Sequence, residues 1–283
     1  QIDSCEAFKV SLNCPADSVV TLATALQEGR HSVRIAYAME GLETHPEFRG
    51  FVLDPECEIL KPTPLPERKI EFIGNSITCA YGVESTKKDA PFEYATENHF
   101  YSYATLVSDS LNAIHTSISR SGIGVYRNYN GPKTGDKDCM PQEFTNTLFA
   151  DSTHKWDFSR WQPQVVCINL GTNDFSTNNY DARLYENAYR NFIHTVRNVY
   201  PKAKIVLLSG PMLGEKENNI EKSILDKLQK EFRKKGDKQI YRFDFTPQDG
   251  SLGYGASWHP SYLQQQKMAS ELTPFIRQIT GWE

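Results

Sequence analysis

The chain has 283 residues, enough for one large domain or two modest ones, each with its own core. Its 39% hydrophobic and 23% charged residues are ordinary for a soluble globular protein. The net charge of −4 argues against a nucleic-acid partner, and no apolar run reaches the ~18 residues that a membrane-spanning helix requires.

The six cysteines include no C-x-x-C pair, which argues against a structural zinc site. Cys167 lies inside an apolar run and is predicted to be a buried free thiol. The other five allow one or two disulfides, which would suit an exported protein. Their spacing leaves the pairing open.

Residues 1 to about 60 are predicted to be β structure, because short alternating apolar and polar runs follow one another without a helical pattern. The runs are 7–12, 19–22, 32–37 and 48–54. Four short strands indicate part of an antiparallel sandwich, since 60 residues are few for a complete one. The spaced prolines of residues 61–66 predict a semi-rigid linker and a domain boundary.

From residue 67 to residue 283 the pattern changes to short apolar runs that alternate with longer helical stretches. This alternation is typical of a parallel sheet with crossover helices, so we predict a three-layer α/β domain. The predicted strands are 69–73, 114–119, 164–169, 203–208 and 239–244. The predicted helices are 98–111, 181–199, 219–235 and 261–279.

A serine follows the first predicted strand of this domain. The strand ends at Gly74, and Asn75 and Ser76 come next. Ligands of open α/β sheets bind at the carboxyl ends of the strands, where backbone N–H groups also converge, so Ser76 is a candidate nucleophile. Taken alone, the same residues could equally form a plain turn.

Three further loops carry polar or flexible residues at the same edge. Gly122 lies in a loop with a second glycine after the second strand, and Asn173 follows the third strand. His259 precedes the last helix and is a candidate general base. Each signal is weak alone, because glycine loops, Asx turns and structural histidines are common, but the conjunction on one sheet edge favours an active site.

With these residues in place, the chain resembles the SGNH (GDSL-like) hydrolase superfamily. The motifs that carry the resemblance are G-N-S-I-T-C-A-Y-G, S-G-I-G-V-Y-R-N-Y, L-G-T-N-D-F and S-W-H-P-S. Their spelling is most similar to family 2 carbohydrate esterases, which remove acetyl groups from plant polysaccharides. The resemblance implies a three-layer α/β/α SGNH domain over 67–283, preceded by a smaller antiparallel jelly-roll module of which residues 1–60 would be a part.

The resemblance also implies roles for individual residues. Ser76 would be the nucleophile and His259 the general base. Ser76 N–H, Gly122 N–H and the Asn173 side chain would form the oxyanion hole. Trp258 would contact substrate, with Tyr126 and Tyr129 as weaker candidates of the same kind.

The chain departs from the superfamily pattern at two places. Asn75 stands where the superfamily usually has Asp. Asparagine keeps the hydrogen-bonding capacity of aspartate but lacks its charge. The acid that normally lies two or three residues before the histidine is missing, since Ser257 and Ala256 occupy those positions. We therefore expect a main-chain carbonyl near 257–258 to orient His259, with Asp249 as the alternative orienting group.

The expected activity is a metal-free and cofactor-free serine esterase that deacetylates xylan or mannan, with an acetylated polysaccharide or oligosaccharide as its partner and no nucleic acid or membrane. The alternatives are an esterase for other small acyl or lipid esters, and a carbohydrate-binding module that has lost catalysis. The resemblance implies a secreted or periplasmic protein, although no signal peptide is visible in this chain.

Overall fold

Buried apolar runs form one parallel sheet in a computed structural model that describes residues 1–11, 17–42, 46–177 and 179–283. The strands are β1 (Arg68–Gly74), β2 (Ala113–Ser119), β3 (Val165–Asn169), β4 (Lys204–Ser209) and β5 (Ile240–Asp244). Their order across the sheet is β2-β1-β3-β4-β5, and every pair is parallel. The predicted parallel sheet is therefore confirmed, with each strand end within one residue of its predicted position.

Polar side chains cap the N-termini of four of the six α-helices of the described residues. The helices are α1 (Ser76–Cys79), α2 (Tyr103–Ser110), α3 (Met140–Glu143), α4 (Ala182–Val199), α5 (Glu215–Lys234) and α6 (Tyr262–Thr280). Ser102, Asp181 and Ser261 accept hydrogen bonds from the first turns of α2, α4 and α6. The Ser102 cap starts α2 later than residue 98, where the sequence pattern placed it. No helix of the described residues is long and apolar enough to cross a bilayer.

The sheet carries a hydrophobic core on each face, because successive strand residues point to opposite sides. On β3, Val166 and Ile168 face the core that α4 and α5 cover. Val165 and Cys167 face the core that α2 and α6 cover. The sheet thus lies between two helical layers, and its carboxyl edge remains available for loops.

The chain divides into two compact units, and the sheet belongs to the larger, which comprises the described residues within Ala38–His45 and Leu65–Glu283. The smaller unit comprises those within Gln1–Tyr37 and Pro46–Pro64. The prediction of strands in this segment is wrong, because its described residues form no strand. They contain an isolated β-bridge between Ile2 and Val33. Alternating side chains such as Phe8 and Ile35 are 50% and 54% exposed. Alternation alone does not supply the partner strand and covered face that a strand requires.

The cysteines that the structure describes are unpaired. They are Cys5, Cys57, Cys79, Cys139 and Cys167. The expected disulfides are therefore not formed among them, because a disulfide requires two closely approached Cα atoms, which sequence spacing does not reveal. The prediction of a buried free thiol at Cys167 is confirmed. Cys14 lies outside the described residues.

Candidate active site

The carboxyl ends of three neighbouring strands are level with one another. Gly74 at the end of β1 is paired in register with Ser119 at the end of β2 and with Asn169 at the end of β3. The loops that follow these strands therefore leave the sheet side by side. This register brings the loops that carry Ser76, Gly122 and Asn173 to one edge.

Ser76 lies at the start of a helix that is only one turn long. The backbone of Asn75 is extended, and its side-chain Oδ1 accepts from the Ile77 N–H at 3.0 Å, so it caps α1. Asn therefore supplies the cap that an Asp would supply. Gly74 is required before it, because a Cβ there would lie 2.0 Å from Thr78 Oγ1.

Buried side chains from two other helices hold α1 in place. Gln265 of α6 donates from Nε2 to the Ile77 carbonyl at 3.0 Å and accepts from the Tyr103 N–H at 2.8 Å. The Tyr103 hydroxyl lies 2.9 Å from Thr78 Oγ1. Because all these groups are buried, their hydrogen bonds are costly to break and fix the serine rigidly.

Ser76 and His259 are hydrogen-bonded to each other, with 2.8 Å between Ser76 Oγ and His259 Nε2. His259 Nδ1 lies 3.1 Å from the Ala256 carbonyl oxygen and 3.2 Å from that of Ser257. A carbonyl only accepts, so Nδ1 carries the proton and the lone pair of Nε2 faces the serine. This tautomer is the one that a general base requires.

Backbone hydrogen bonds within the loop and from a neighbouring segment hold the loop that carries His259. The Gly255 N–H donates to the His259 carbonyl at 2.8 Å, and the Ala256 N–H donates to the Gly82 carbonyl at 3.0 Å. Ser257 and Trp258 both adopt left-handed backbone conformations, with φ of 49° and 57°. Such conformations are costly for residues other than glycine, so the surrounding contacts impose the turn.

Asp249, the alternative orienting group, has its carboxylate engaged elsewhere. Asp249 Oδ1 accepts from the Ser251 N–H at 2.9 Å and from the Ser251 hydroxyl, and these bonds lower the pKa of the Asp249 carboxyl. Burial lowers the pKa of His259 to about 4, because the charged imidazolium is poorly solvated there. His259 is therefore neutral, and able to accept a proton, at neutral pH.

The three donors expected of an oxyanion hole come from the level loops. Gly122 has a φ of 77°, and one N–H of the Asn173 amide donates to the Ile123 carbonyl at 2.8 Å. The second N–H of that amide is left for a ligand. Within the described residues, the Ser76 and Gly122 N–H groups have no hydrogen-bond acceptor. These are donors of the kind that stabilise a developing oxyanion.

Asp174 fixes the loop that carries Gly122. Its fully buried carboxylate accepts from the N–H groups of Val125, Tyr126 and Arg127 at 2.9–3.1 Å. Burial raises the pKa of Asp174 to about 7, an effect that these three hydrogen bonds oppose.

A second carboxylate, partly buried, acts on the neighbouring residue of the same loop, since Glu40 Oε2 accepts from the Ser121 N–H at 2.5 Å. Glu40 also lies with Cys79 and Glu97 in a group whose ligand-type atoms are within 4.8 Å of one another. Burial raises the pKa of the Cys79 thiol, which favours its protonated form. The contact to Ser121 indicates that this group supports the loop.

The aromatic candidates for substrate contact differ in exposure. Trp258 is 51% exposed beside the base, and Tyr129 is 63% exposed with its N–H donating to the Gly122 carbonyl at 2.8 Å. Tyr126, by contrast, packs in the core and its hydroxyl accepts from the Asp181 N–H. The structure thus leaves Tyr126 only 7% exposed, too little surface for a sugar ring.

Sequence reasoning missed one aromatic residue of the site, Tyr81. Its ring lies against the His259 imidazole, with 4.2 Å between ring centroids and 33° between ring planes. Phe92 stacks on Tyr81 at 4.3 Å and 22°. Tyr81 is part of the motif that contains Ser76, but nothing in the sequence indicates that it meets the histidine.

A serine at the end of a central parallel strand, hydrogen-bonded to a histidine and followed across the sheet edge by loops with available N–H donors, is the arrangement of a serine hydrolase on a three-layer α/β/α fold. The chain belongs to the GDSL-like lipase/acylhydrolase family, whose family model matches residues 72–267. The predicted resemblance is therefore confirmed.

Similar proteins are carbohydrate esterases by name. The chain is 41% identical over 265 residues to the cellulase/esterase CelE of Acetivibrio thermocellus, a match that covers 94% of this chain and 32% of CelE. It is 30% identical over 271 residues to an acetylxylan esterase/glucomannan deacetylase of Cellvibrio japonicus, covering 91% of this chain and 72% of that protein. A solved family two carbohydrate esterase from Clostridium thermocellum, in complex with cellohexaose, matches with 44% identity and a TM-score of 0.75, covering 80% of this chain and 68% of that one. The chain thus spans about a third of the length of CelE.

Proposed function

We propose that this chain is a serine esterase that removes O-acetyl groups from plant cell-wall polysaccharide, with acetylated xylan or mannan as substrate. The observation that carries the proposal is the 2.8 Å hydrogen bond between Ser76 Oγ and His259 Nε2 at the sheet edge from which the loops of Gly122 and Asn173 also leave. The choice of an acetylated carbohydrate rests on the relatives, two of which are named for xylan and glucomannan deacetylation.

In the acylation step, His259 Nε2 takes the proton of Ser76 as Oγ attacks the acetyl carbonyl carbon. The carbonyl electrons move to oxygen, and the N–H groups of Ser76 and Gly122 and the Asn173 amide stabilise that oxyanion. The tetrahedral intermediate collapses when His259 returns the proton to the sugar oxygen, which leaves as an alcohol. The products are the free hydroxyl of the polysaccharide and an acetyl-enzyme on Ser76.

Deacylation repeats the sequence with water. His259 removes a proton from water, whose oxygen attacks the acetyl-enzyme carbonyl, and the same donors stabilise the second oxyanion. Collapse releases acetate and returns the proton to Ser76 Oγ. Removing a single oxyanion donor typically reduces turnover by about 10²–10³, so the three donors are the largest electrostatic contribution to the proposed mechanism.

The carbonyls of Ala256 and Ser257 would take the orienting role of the missing acid. They fix the tautomer of His259 but carry no full charge, so they stabilise the imidazolium less than a carboxylate does. In triad enzymes the loss of the correctly placed Asp lowers turnover by about 10⁴. A functional dyad therefore needs another source of imidazolium stabilisation.

The surface beside the dyad suits a sugar. Trp258 and Tyr129 are exposed aromatic side chains next to the base and next to an oxyanion donor, and aromatic faces with polar edges suit contact with pyranose rings. Both belong to loops at the carboxyl edge of the sheet. We assign substrate contact to these two residues and not to Tyr126.

Although the described residues of 1–60 form no strand by themselves, we further propose that this segment is part of a larger jelly-roll module joined through residues 61–66 to the catalytic domain of residues 67–283, and that the protein acts outside the cytoplasm. Polysaccharide is too large to enter a cell, which favours a secreted or periplasmic location for an enzyme with this substrate. The similarity to family two carbohydrate esterases supports both proposals.

The test measures acetate released from a small aryl acetate, from acetylated xylan and from acetylated glucomannan. Ser76→Ala and His259→Ala should lower turnover by at least about 10³. Asp249→Ala is the matched control and should stay within a factor of about two. A collapse with Asp249→Ala would make that residue the missing acid and contradict the dyad.

The same assay separates the alternatives. Turnover that rises with acyl chain length would favour a lipid or general acyl esterase. A wild-type chain that binds xylan but releases no acetate would favour a binding module. Either result would refute the proposed deacetylase.

A further inference from the structure

The ring of Tyr81 lies against the base of the proposed dyad in a tilted arrangement. The centroids of the Tyr81 and His259 rings are 4.2 Å apart and their planes differ by 33°. The hydrogen-bond partners of the imidazole are Ser76 Oγ and two carbonyl oxygens. Tyr81 is therefore an aromatic contact of a histidine that has no carboxylate hydrogen-bond partner among the described residues.

The backbone holds Tyr81 in this position independently of its ring. The helix of the nucleophile ends at Cys79, and its C-cap Ala80 adopts a left-handed conformation with a φ of 64°. The Tyr81 N–H then donates to the Ser76 carbonyl at 3.0 Å, and the Gly82 carbonyl accepts from the Ala256 N–H at 3.0 Å. One short segment thus joins the nucleophile to the loop that carries the base.

The opposite face of the Tyr81 ring is also covered. Phe92 stacks on it with 4.3 Å between centroids and 22° between planes, and Tyr94 packs edge-on against Phe92. A ring held from behind in this way has little freedom to turn away from His259. Its position is preorganised, which is the condition for an electrostatic contribution to catalysis.

The face of an aromatic ring carries partial negative charge and attracts a cation that lies over it. His259 is neutral in the resting enzyme and becomes a cation only as it takes the proton of Ser76 or of water. An interaction that forms with the imidazolium is therefore stronger in the transition state than in the ground state, and such interactions raise turnover.

We propose that Tyr81 is a positioning residue that orients His259 and stabilises its imidazolium through the face of the ring, in place of part of the missing acid. The inference rests on the proposed esterase function of the dyad. It predicts that the ring and its electron density are required, and that the tyrosine hydroxyl is not.

The first experiment compares Tyr81→Phe with Tyr81→Leu in the full chain, using a small aryl acetate. Tyr81→Phe keeps the ring and should retain kcat within a factor of about two. Tyr81→Leu should lower kcat by roughly 2- to 30-fold with little change in KM, as expected for a lost cation–π contact. Equal kcat in the two variants would overturn the proposal.

The second experiment separates electrostatics from packing. Phenylalanine with one, two and three ring fluorines is placed at position 81. The fluorines reduce the negative charge on the ring face, and the shape of the ring changes little. The logarithm of kcat should fall steadily along the series. The same series at Phe158, a ring that packs among core aromatics, is the control and should show no trend.

The outcomes distinguish the esterase function of the dyad from the role of Tyr81. A wild-type chain without esterase activity refutes the function of the dyad and this role together. An active wild type with a flat fluorine series at position 81 refutes the role of Tyr81 and leaves the esterase function standing.

Discussion

The pH dependence of turnover follows from the surroundings of His259. Burial lowers the pKa of this imidazole from 6.5 to about 4, and the carbonyls of Ala256 and Ser257 only partly oppose the shift. The base must be neutral to act, so activity is present above the folded pKa and is lost as the pH falls through it. At pH 5 a base of pKa 4 is about 90% neutral, whereas a base of pKa 6.5 is about 3% neutral.

The assay follows kcat/KM between pH 3.5 and 8, because this ratio reports groups of the free enzyme. Released acetate is measured directly, since the colour of a phenolate leaving group changes with pH. We expect a plateau from pH 8 to about pH 5 and half-maximal activity near pH 4. Far-UV circular dichroism at each pH controls for acid unfolding, which the same pKa shift promotes because the unfolded histidine binds a proton below about pH 6.5.

The result that would refute this reasoning is a folded enzyme whose kcat/KM has already fallen to half of its plateau value at pH 6.5 or above. Such a value would require a negative charge close to the imidazole. Asp249 would then be the first residue to test, through the pH profile of Asp249→Asn.

Three further predictions concern the support of the site. Gly82→Ala would place a Cβ 2.4 Å from that of Ala256, so it should displace the base loop and lower kcat by about tenfold or more. Gln265→Leu removes the hydrogen-bond partners of the Ile77 carbonyl and the Tyr103 N–H. It should lower the free energy of unfolding in urea by about 2–4 kcal/mol. Burial raises the pKa of Glu71 to about 7 from 4.5, so the contribution of this group to stability should decline by about 3 kcal/mol as the pH rises from 4.5 to 7. Glu71→Gln should remove that contribution and so reduce the decline, measured by urea unfolding at pH 5 and 8.

Each of these predictions has a contrary outcome. Gly236→Ala is the control for the first, because a Cβ at that left-handed position meets nothing within 4 Å and should affect stability without affecting kcat. Full stability of Gln265→Leu would mean that its two hydrogen bonds contribute nothing net. A loss of stability that is the same at both pH values in Glu71→Gln would contradict the assigned pKa.

The sequence predicted the α/β domain well, because its signals are local and strong. A buried strand such as 165–169 is an unbroken apolar run, and α4 shows helical spacing from Tyr185 to Val196 with Pro201 beyond its end. Ser76 and His259 follow from the same logic, since each stands at a strand end or just before a helix at one edge of the sheet.

The features that the sequence did not predict depend on backbone turns and tertiary contacts. Tyr126 lies in a glycine-rich loop whose path Asp174 determines, and that path turns the ring into the core. Tyr81 contacts His259 because Ala80 adopts a left-handed conformation. Alanine rarely adopts this conformation, so the sequence does not predict the turn. The prediction of strands in the first 60 residues was wrong because an alternating pattern does not show whether a neighbouring strand is available for pairing.

The carbonyls that orient His259 belong to the same tight turn as the histidine itself. A carboxylate in a conventional triad arrives from a separate position, and any shift between the two misaligns the base. Here the orienting acceptors and the base lie within four consecutive residues, and the Gly255 N–H to His259 carbonyl bond closes the turn. The acceptors therefore move together with the histidine, so a shift of the whole turn changes the distance from Nε2 to the serine before it changes which nitrogen carries the proton.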